Sequence, residues 1–121
     1  MEKRLVFTTS TELVSVPAGA VVCVAADGNY SAIRMADGGS FVLTLQLGQI
    51  ERRISQMLDE NDKRFIRIGK SLIVNRDFIA FVNPPRQKMI LSDCRTFRLE
   101  ASASKEALKA LKELMEKETE K

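Results

Sequence analysis

Short apolar runs separated at close intervals by turn-forming residues are the feature that most limits the fold of this chain. The first runs are Leu5–Thr8, Glu12–Val16 and Ala20–Ala26, with Pro17 and Gly19 breaking the chain between the last two. Strands this short, without long helices between them, are typical of antiparallel sheets rather than of alternating strand–helix–strand units. The sequence therefore predicts a mainly β fold.

Two further runs indicate a hairpin. Tyr30–Met35 alternates in polarity, which places Tyr30, Ala32 and Arg34 on one face of a strand and Ser31, Ile33 and Met35 on the other. Asp37-Gly38-Gly39 is a strong turn signal, because glycine readily adopts positive φ. Phe41–Leu43 is then the returning strand. The remaining strands are predicted at Phe65–Ile68, Leu72–Val74, Phe78–Val82, Met89–Leu91 and Thr96–Leu99.

Two segments have helical periodicity. Apolar residues recur three or four positions apart across 47–58, which predicts an amphipathic helix packed on a sheet. A second helix is predicted after Ser104, its expected N-cap, and carries an apolar stripe. Its members are Leu108, Leu111, Leu114 and Met115. We therefore expect small antiparallel sheets in an elongated arrangement, with one packed amphipathic helix and a C-terminal helix.

Length and composition favour one folded domain. A chain of 121 residues fits a single domain over residues 1–121, with one core in about 5–114. With 45% hydrophobic residues the chain is too apolar to be disordered. No apolar run approaches the roughly 20 residues that span a bilayer, so no membrane insertion and a cytoplasmic location are expected. That compartment favours free thiols at Cys23 and Cys94 over a disulfide, the alternative.

The positive charge is concentrated in one stretch. Residues 61–112 contain 12 Lys and Arg against 5 Asp and Glu, whereas residues 1–60 contain 5 against 7. Such a stretch attracts a polyanion if its charges share one surface, and is merely solvated if they are scattered. Charge alone does not decide between these two interpretations.

The residue content argues against catalysis, metals and cofactors. There is no histidine, which is the usual general base and the commonest transition-metal ligand, and two isolated cysteines cannot build a four-ligand zinc site. Gly69-Lys70-Ser71 lacks the upstream glycine of a nucleotide-binding P-loop. The aspartates at 27, 37, 77 and 93 each lie beside a turn signal, and turn formation is the better interpretation of them.

The order of several strings resembles the LytTR family of DNA-binding domains. Asp27-Gly28-Asn29-Tyr30 follows an apolar strand, and the helix at 47–58 comes next. The string from Phe65 to Asn75 then contains a strand with Arg67, the pair Lys70-Ser71 and the pair Val74-Asn75, in the order found in the family. The similarity continues to Ser104-Lys105 and covers about residues 5–114. The resemblance implies sequence-specific binding of double-stranded promoter DNA by a bacterial transcription regulator, with loops and strand ends in the major groove and homodimers on repeated sites.

The resemblance also implies three DNA-contacting regions. The first is the turn at Asn29 and Tyr30, whose alternative is an ordinary hairpin with Tyr30 packed inward. The second comprises Arg67, Gly69, Lys70 and Ser71, whose alternative is a solvated loop. The third comprises Ser102, Ser104 and Lys105, of which the serines are otherwise helix caps. Asn75 is expected to satisfy buried backbone groups rather than to touch DNA.

Two departures from the family pattern affect the expected target. The family commonly has histidine where Gly69 stands and arginine where Lys105 stands, and lysine lacks the planar fork with which arginine grips a guanine or a phosphate. Because little precedes Leu5, the chain is expected to act without the receiver domain that many family members carry. The alternative function is a protein-interaction module of the same fold that has lost DNA binding and pairs with another regulator or a membrane protein.

Overall fold

The structure is a computed structural model that describes residues 3–119. Within that range the chain forms strands that pair only antiparallel, two α-helices and two short 3-10 turns. The strands are β1 (Arg4–Thr8), β2 (Leu13–Pro17), β3 (Val21–Asp27), β4 (Tyr30–Met35), β5 (Ser40–Leu43), β6 (Phe65–Ile68), β7 (Leu72–Asn75), β8 (Ile79–Asn83), β9 (Lys88–Ser92) and β10 (Arg98–Ser102). The helices are α1 (Leu47–Met57) and α2 (Lys105–Thr119), and the 3-10 turns are Ala18–Ala20 and Arg76–Phe78. The predicted mainly β fold with two helices is confirmed.

A five-stranded sheet in the order β5-β4-β3-β7-β6 lies at the centre of the molecule. Its middle strand, β3, is buried from Val21 to Val24, as its nearly continuous apolar sequence predicts for a strand covered on both faces. A register shift between Val21 and Cys23 lets neighbouring β3 residues enter different clusters, with Val22 and Cys23 on one face and Val21 and Val24 on the other. The sheet therefore separates two layers.

The first layer contains α1 and the β1–β2 hairpin. Helix α1 buries Leu47, Ile50 and Ile54 against β1, β3, β4 and β7, which are the positions that the helical spacing predicts. At its start the backbone N–H of Gln46 donates to Gln49 Oε1 at 2.8 Å, so one of the unpaired amides of the helix end is satisfied. The helix ends at Met57, and Leu58 is its C-cap.

The second layer contains the three-stranded sheet β10-β9-β8 and helix α2. Leu108 and Leu111 of α2 are buried with Met89 and Leu91 of β9, whereas Leu114 at the far end of the predicted stripe is 40% exposed. The expectation of one core is corrected here, because the buried apolar residues form two clusters on opposite sides of the central sheet.

The last strand begins two residues later than the predicted Thr96–Leu99. The carboxylate of Asp93 accepts hydrogen bonds from the backbone N–H groups of Arg95, Thr96 and Phe97, which keeps these residues in a turn and out of the ladder. The hydrogen bond from the Thr96 hydroxyl, together with these backbone bonds, holds the pKa of Asp93 well below its ordinary value. The strand consequently runs to Ser102, which becomes a strand residue.

Both cysteines are free thiols, as predicted. Cys23 is buried in β3, and this burial raises the pKa of its thiol to about 11 against the partly opposing charge of Arg34. Cys94 is exposed and has a positive φ of 62°. Neither helix in residues 3–119 combines the length and the apolar character that crossing a membrane requires.

Candidate functional site

The β3–β4 turn and the β6–β7 turn lie side by side at one end of the central sheet. Strands β3 and β7 are antiparallel with Ala25 opposite Leu72, so the end of β3 lies next to the start of β7. The backbone N–H of Ala26 donates to the carbonyl oxygen of Ser71 at 2.9 Å, which extends this pairing into the second turn. Two of the three predicted contact regions are thus brought together by strand register.

The β3–β4 turn consists of Gly28 and Asn29. Gly28 has φ of 64° and Asn29 is not among the residues with positive φ, which is the pattern of a type II′ hairpin turn with glycine first. Asn29 is exposed, and Tyr30 is 49% exposed. The alternative in which Tyr30 packs inward is wrong, because the alternation of β4 points Ser31 and Ile33 into the protein instead.

Arg67 has a role that the sequence did not indicate. Its Nε donates to the carbonyl oxygen of Gly69 at 3.1 Å, and its Nη2 donates to that of Lys70 at 3.0 Å. Its Nη1 pairs with Glu51 Oε1 of helix α1 at 2.7 Å. The guanidinium therefore fixes the β6–β7 turn to α1, with each of its three nitrogens bonded to a protein oxygen.

The same turn contacts the start of α2. Gly69 has φ of 62°, a conformation that costs other residues strain, and a Cβ built on it would lie 3.6 Å from the Cβ of Ala107. Ala107 is in the first turn of α2, two residues after Lys105. The third predicted region is therefore next to the second.

Ser104 is the N-cap of α2, as predicted. Its Oγ accepts a hydrogen bond from the N–H of Ala107 at 3.1 Å, and its carbonyl oxygen accepts from the N–H of Leu108 at 3.0 Å. Lys105 is the first helical residue and is exposed. Ser102, at the end of β10, lines the same cleft of about 260 Å³ as Ser71.

Lys70 and Lys105 differ in their ion pairing from several other Lys and Arg residues of the positively charged stretch 61–112. Within residues 3–119 neither of them has a salt-bridge partner, whereas Arg67, Arg76, Lys88 and Lys112 pair with Glu51, Glu118, Glu100 and Glu116 respectively. An exposed, unpaired ammonium group is available to an external anion. Part of the positive charge of residues 61–112 is thus paired within the chain, whereas Lys70 and Lys105, like Lys63, Arg86, Arg95, Arg98 and Lys109, have no salt-bridge partner within residues 3–119.

The β8–β9 hairpin carries an exposed cation, Arg86, that sequence reasoning missed. Lys88 of β9 is opposite Asn83 of β8 and, on the other side, opposite Ser102 of β10. The β8–β9 turn, which contains Arg86, therefore lies at the Ser102 end of the three-stranded sheet. Arg86 is exposed, and Lys88 Nζ is 2.6 Å from Glu100 Oε1, which lowers the pKa of Glu100. The Pro84-Pro85 signal marks this turn in the sequence, but only the register of β9 with β10 places it beside Ser102.

Asn75 has the structural role predicted for it. It is fully buried, its Nδ2 donates to the carbonyl oxygen of Val21 at 3.0 Å, and its Oδ1 accepts from the N–H of Asp77 at 3.0 Å. The side chain thus joins β7 to the start of β3 and cannot reach an external ligand.

The resulting surface has unpaired ammonium groups beside exposed amide and hydroxyl groups. In the described part of the chain no His, Cys, Asp or Glu residues are grouped so as to hold a metal ion. Lysine ammonium groups can bind the phosphates of a polyanion. Short polar side chains on projecting turns can form hydrogen bonds with the polar groups that the polyanion carries between its phosphates.

Comparison with known proteins bears on the family and the fold of the chain. The family model of the LytTr DNA-binding domain matches residues 11–116. The fold is similar to the solved LytTr DNA-binding domain of a Bacillus cereus protein described as a methyl-accepting/DNA response regulator. That similarity has a TM-score of 0.62 at 19% identity and covers 95% of this chain and 98% of the other. No curated protein matches the chain.

Proposed function

Because the chain belongs to the LytTR family of DNA-binding domains, we propose that it binds double-stranded promoter DNA sequence-specifically and regulates bacterial transcription. The observation that carries the proposal is the meeting of the Asn29 turn, the Gly69–Ser71 turn and the start of α2 at one end of the molecule. The activity is binding without catalysis, and the compartment is the cytoplasm.

Phosphate contacts set the position of the protein on the duplex in this proposal. Lys70 and Lys105 are exposed and have no salt-bridge partner within residues 3–119, so each can replace a counterion condensed on a phosphate. Arg86 is an exposed cation on the β8–β9 hairpin, whose turn lies at the Ser102 end of the three-stranded sheet. Arg67 acts through the loop it holds and is a positioning residue rather than a contact.

Base recognition is assigned to the short polar side chains. Asn29 and Tyr30 project from the β3–β4 turn, and an amide can pair with two atoms of an adenine in the major groove. Ser71 and Ser102 line a common cleft beside them, and their hydroxyls can donate or accept. Two copies on repeated half-sites would double this small contact surface, and we therefore expect homodimers on DNA.

Selection of bound duplexes from a random pool, followed by salt titration of the selected duplex, tests the proposal. Each phosphate contact contributes a slope of about −0.9 to the plot of log affinity against log salt concentration. Lys70→Ala and Lys105→Ala should each flatten that slope by about 0.9. Lys117→Ala is the matched control, because Lys117 is about 18 Å further along α2 than Lys105.

Two results would contradict the proposal. The first is the absence of an enriched motif together with salt-insensitive binding to every duplex, which would favour the protein-interaction module. The second is an equal flattening by Lys117→Ala, which would mean that the attraction is a general property of the charge and not of this surface.

A further inference from the structure

A cleft of about 330 Å³ lies on the α1 side of the central sheet. Its apolar wall is formed by Ile54 of α1, by the C-cap Leu58, and by Phe65 and Ile73 of β6 and β7. The volume is within the range of small-molecule sites, which are typically apolar clefts with a few polar groups. The cleft is therefore large enough for a small organic ligand.

The rim of the cleft is acidic. Four carboxylates line it, from Glu51, Asp59, Glu60 and Asp62, against the two cations Lys63 and Arg67. Glu51 already pairs with Arg67 at 2.7 Å, and Asp62 pairs with Arg64 at 3.5 Å. An apolar wall beneath a rim with more acids than bases is complementary to a molecule with an apolar body and a positive group.

One residue joins this cleft to the DNA-facing turn. Arg67 lines the cleft together with Glu51, to which its Nη1 donates, and its other two nitrogens donate to the carbonyl oxygens of Gly69 and Lys70. A cation bound beside Glu51 competes with Arg67 for that carboxylate. The turn then loses the bond that connects it to α1.

We propose that the cleft binds a small organic amine with an apolar body, and that its occupancy weakens DNA binding by withdrawing Glu51 from Arg67. The second clause rests on the proposed function, whereas the first does not. By linkage, the factor by which the amine lowers the affinity for DNA equals the factor by which DNA lowers the affinity for the amine. We expect a factor of about five, the lower end of ordinary coupling between two sites.

The first experiment measures binding to the full chain without DNA, by isothermal titration and by NMR shifts. The probes are 2-phenylethylamine, hexylamine and benzylamine at millimolar concentration, with 2-phenylethanol as the neutral analogue of the first. We expect saturable binding of 2-phenylethylamine and about tenfold weaker binding of 2-phenylethanol, because a partly exposed charge pair accounts for that difference. No saturable binding by any of the three amines would overturn the proposal.

Two variants localise the site. Ser55→Trp places a large side chain at an exposed α1 position that lines the cleft, and Gln56→Trp places the same side chain at the next exposed α1 position, outside it. The first should abolish binding of 2-phenylethylamine, and the second should leave it unchanged. Glu51→Gln should weaken binding about tenfold, since the glutamine keeps a hydrogen-bond acceptor but loses the charge. Equal effects of both tryptophan substitutions would place the amine elsewhere.

The second experiment measures affinity for the selected duplex with and without 2-phenylethylamine, and affinity for the amine with and without the duplex. Equal factors of about five in both directions support the coupling. Amine binding without any change in DNA affinity would refute transmission through Arg67 and leave the site itself standing. A chain that binds the amine but no duplex would refute the proposed function and not the cleft.

Discussion

Removing the Arg67–Glu51 pair tests whether Arg67 positions the Gly69–Ser71 turn or contacts DNA itself. The double variant Arg67→Met/Glu51→Gln deletes all three bonds of the guanidinium and keeps the net charge of the chain unchanged. Lys70→Met, which removes an exposed cation without a salt-bridge partner in residues 3–119, is the reference. The two changes affect neighbouring residues on one turn but should alter different properties.

The expected loss of stability follows from the contacts of Arg67. Its two bonds to backbone carbonyl oxygens are 3.1 and 3.0 Å long, and its side chain is 29% exposed. Charge-assisted bonds at that exposure contribute about 1 kcal/mol each. The ion pair with the half-exposed Glu51 adds about 0.5 kcal/mol, and methionine retains part of the apolar contact. The double variant should therefore lose about 2 kcal/mol, or about 8 °C in Tm.

The DNA measurement should separate the two variants further. The double variant should bind the selected duplex about tenfold more weakly at every salt concentration, because the turn is less ordered while Lys70 keeps its charge. Its salt slope should equal that of the wild type. Lys70→Met should keep the wild-type Tm within about 1 °C and flatten the slope by about 0.9.

Urea unfolding and salt titration by fluorescence anisotropy are the assays. A slope flattened by about 0.9 in the double variant would show that Arg67 reaches a phosphate, and would refute the positioning role. Unchanged stability in the double variant would also refute it, since the three bonds would then hold nothing in place.

Three further predictions concern the fold around the site. Gly69→Ala should lower the free energy of unfolding by about 1 kcal/mol because of the positive φ, whereas Gly48→Ala in α1 should raise it slightly; equal urea midpoints for the two would contradict this. Asn75→Ala should cost about 3 kcal/mol in the same assay by leaving buried backbone groups unpaired, and a loss below 1 kcal/mol would show that they find other partners. The pKa of Cys23 is raised from 9.0 to about 11 on folding, so its thiol contributes to the free energy of unfolding below pH 9.0 and this contribution is lost as the pH rises toward about 11. The free energy of unfolding of Cys23→Ala should lack that part of the pH dependence.

Local sequence signals predicted most of the elements correctly. The alternation in Tyr30–Met35 and the helical spacing from Leu47 place the buried residues where the structure has them. Each of these patterns arises because one helix or strand packs one face against apolar residues. The spacing of apolar residues within that segment is therefore enough to predict which side chains are buried. The start of β10 was predicted wrongly because the carboxylate of Asp93 bonds three following amides, and no periodicity reports such a turn.

The site was predictable only where the family pattern applied. Lys70 and Lys105 lie 35 positions apart in the sequence, and their proximity depends on the contact between Gly69 and Ala107. Arg67 matched the family string, but its bonds to Glu51 and to the turn require a helix 16 residues earlier to pack at one angle. Tertiary contacts of this kind leave no local signature, and Lys88 beside Ser102 is a further example.

The central sheet carries apolar layers on both faces, while the side chains proposed to contact DNA are all exposed: Asn29, Tyr30, Lys70, Ser71, Ser102 and Lys105. Substitutions at such exposed positions usually change stability by less than about 0.5 kcal/mol. Mutation can therefore alter the preferred operator with little thermodynamic penalty for the scaffold. Over evolutionary time, duplicated copies of such a gene can acquire separate regulons while keeping the same fold.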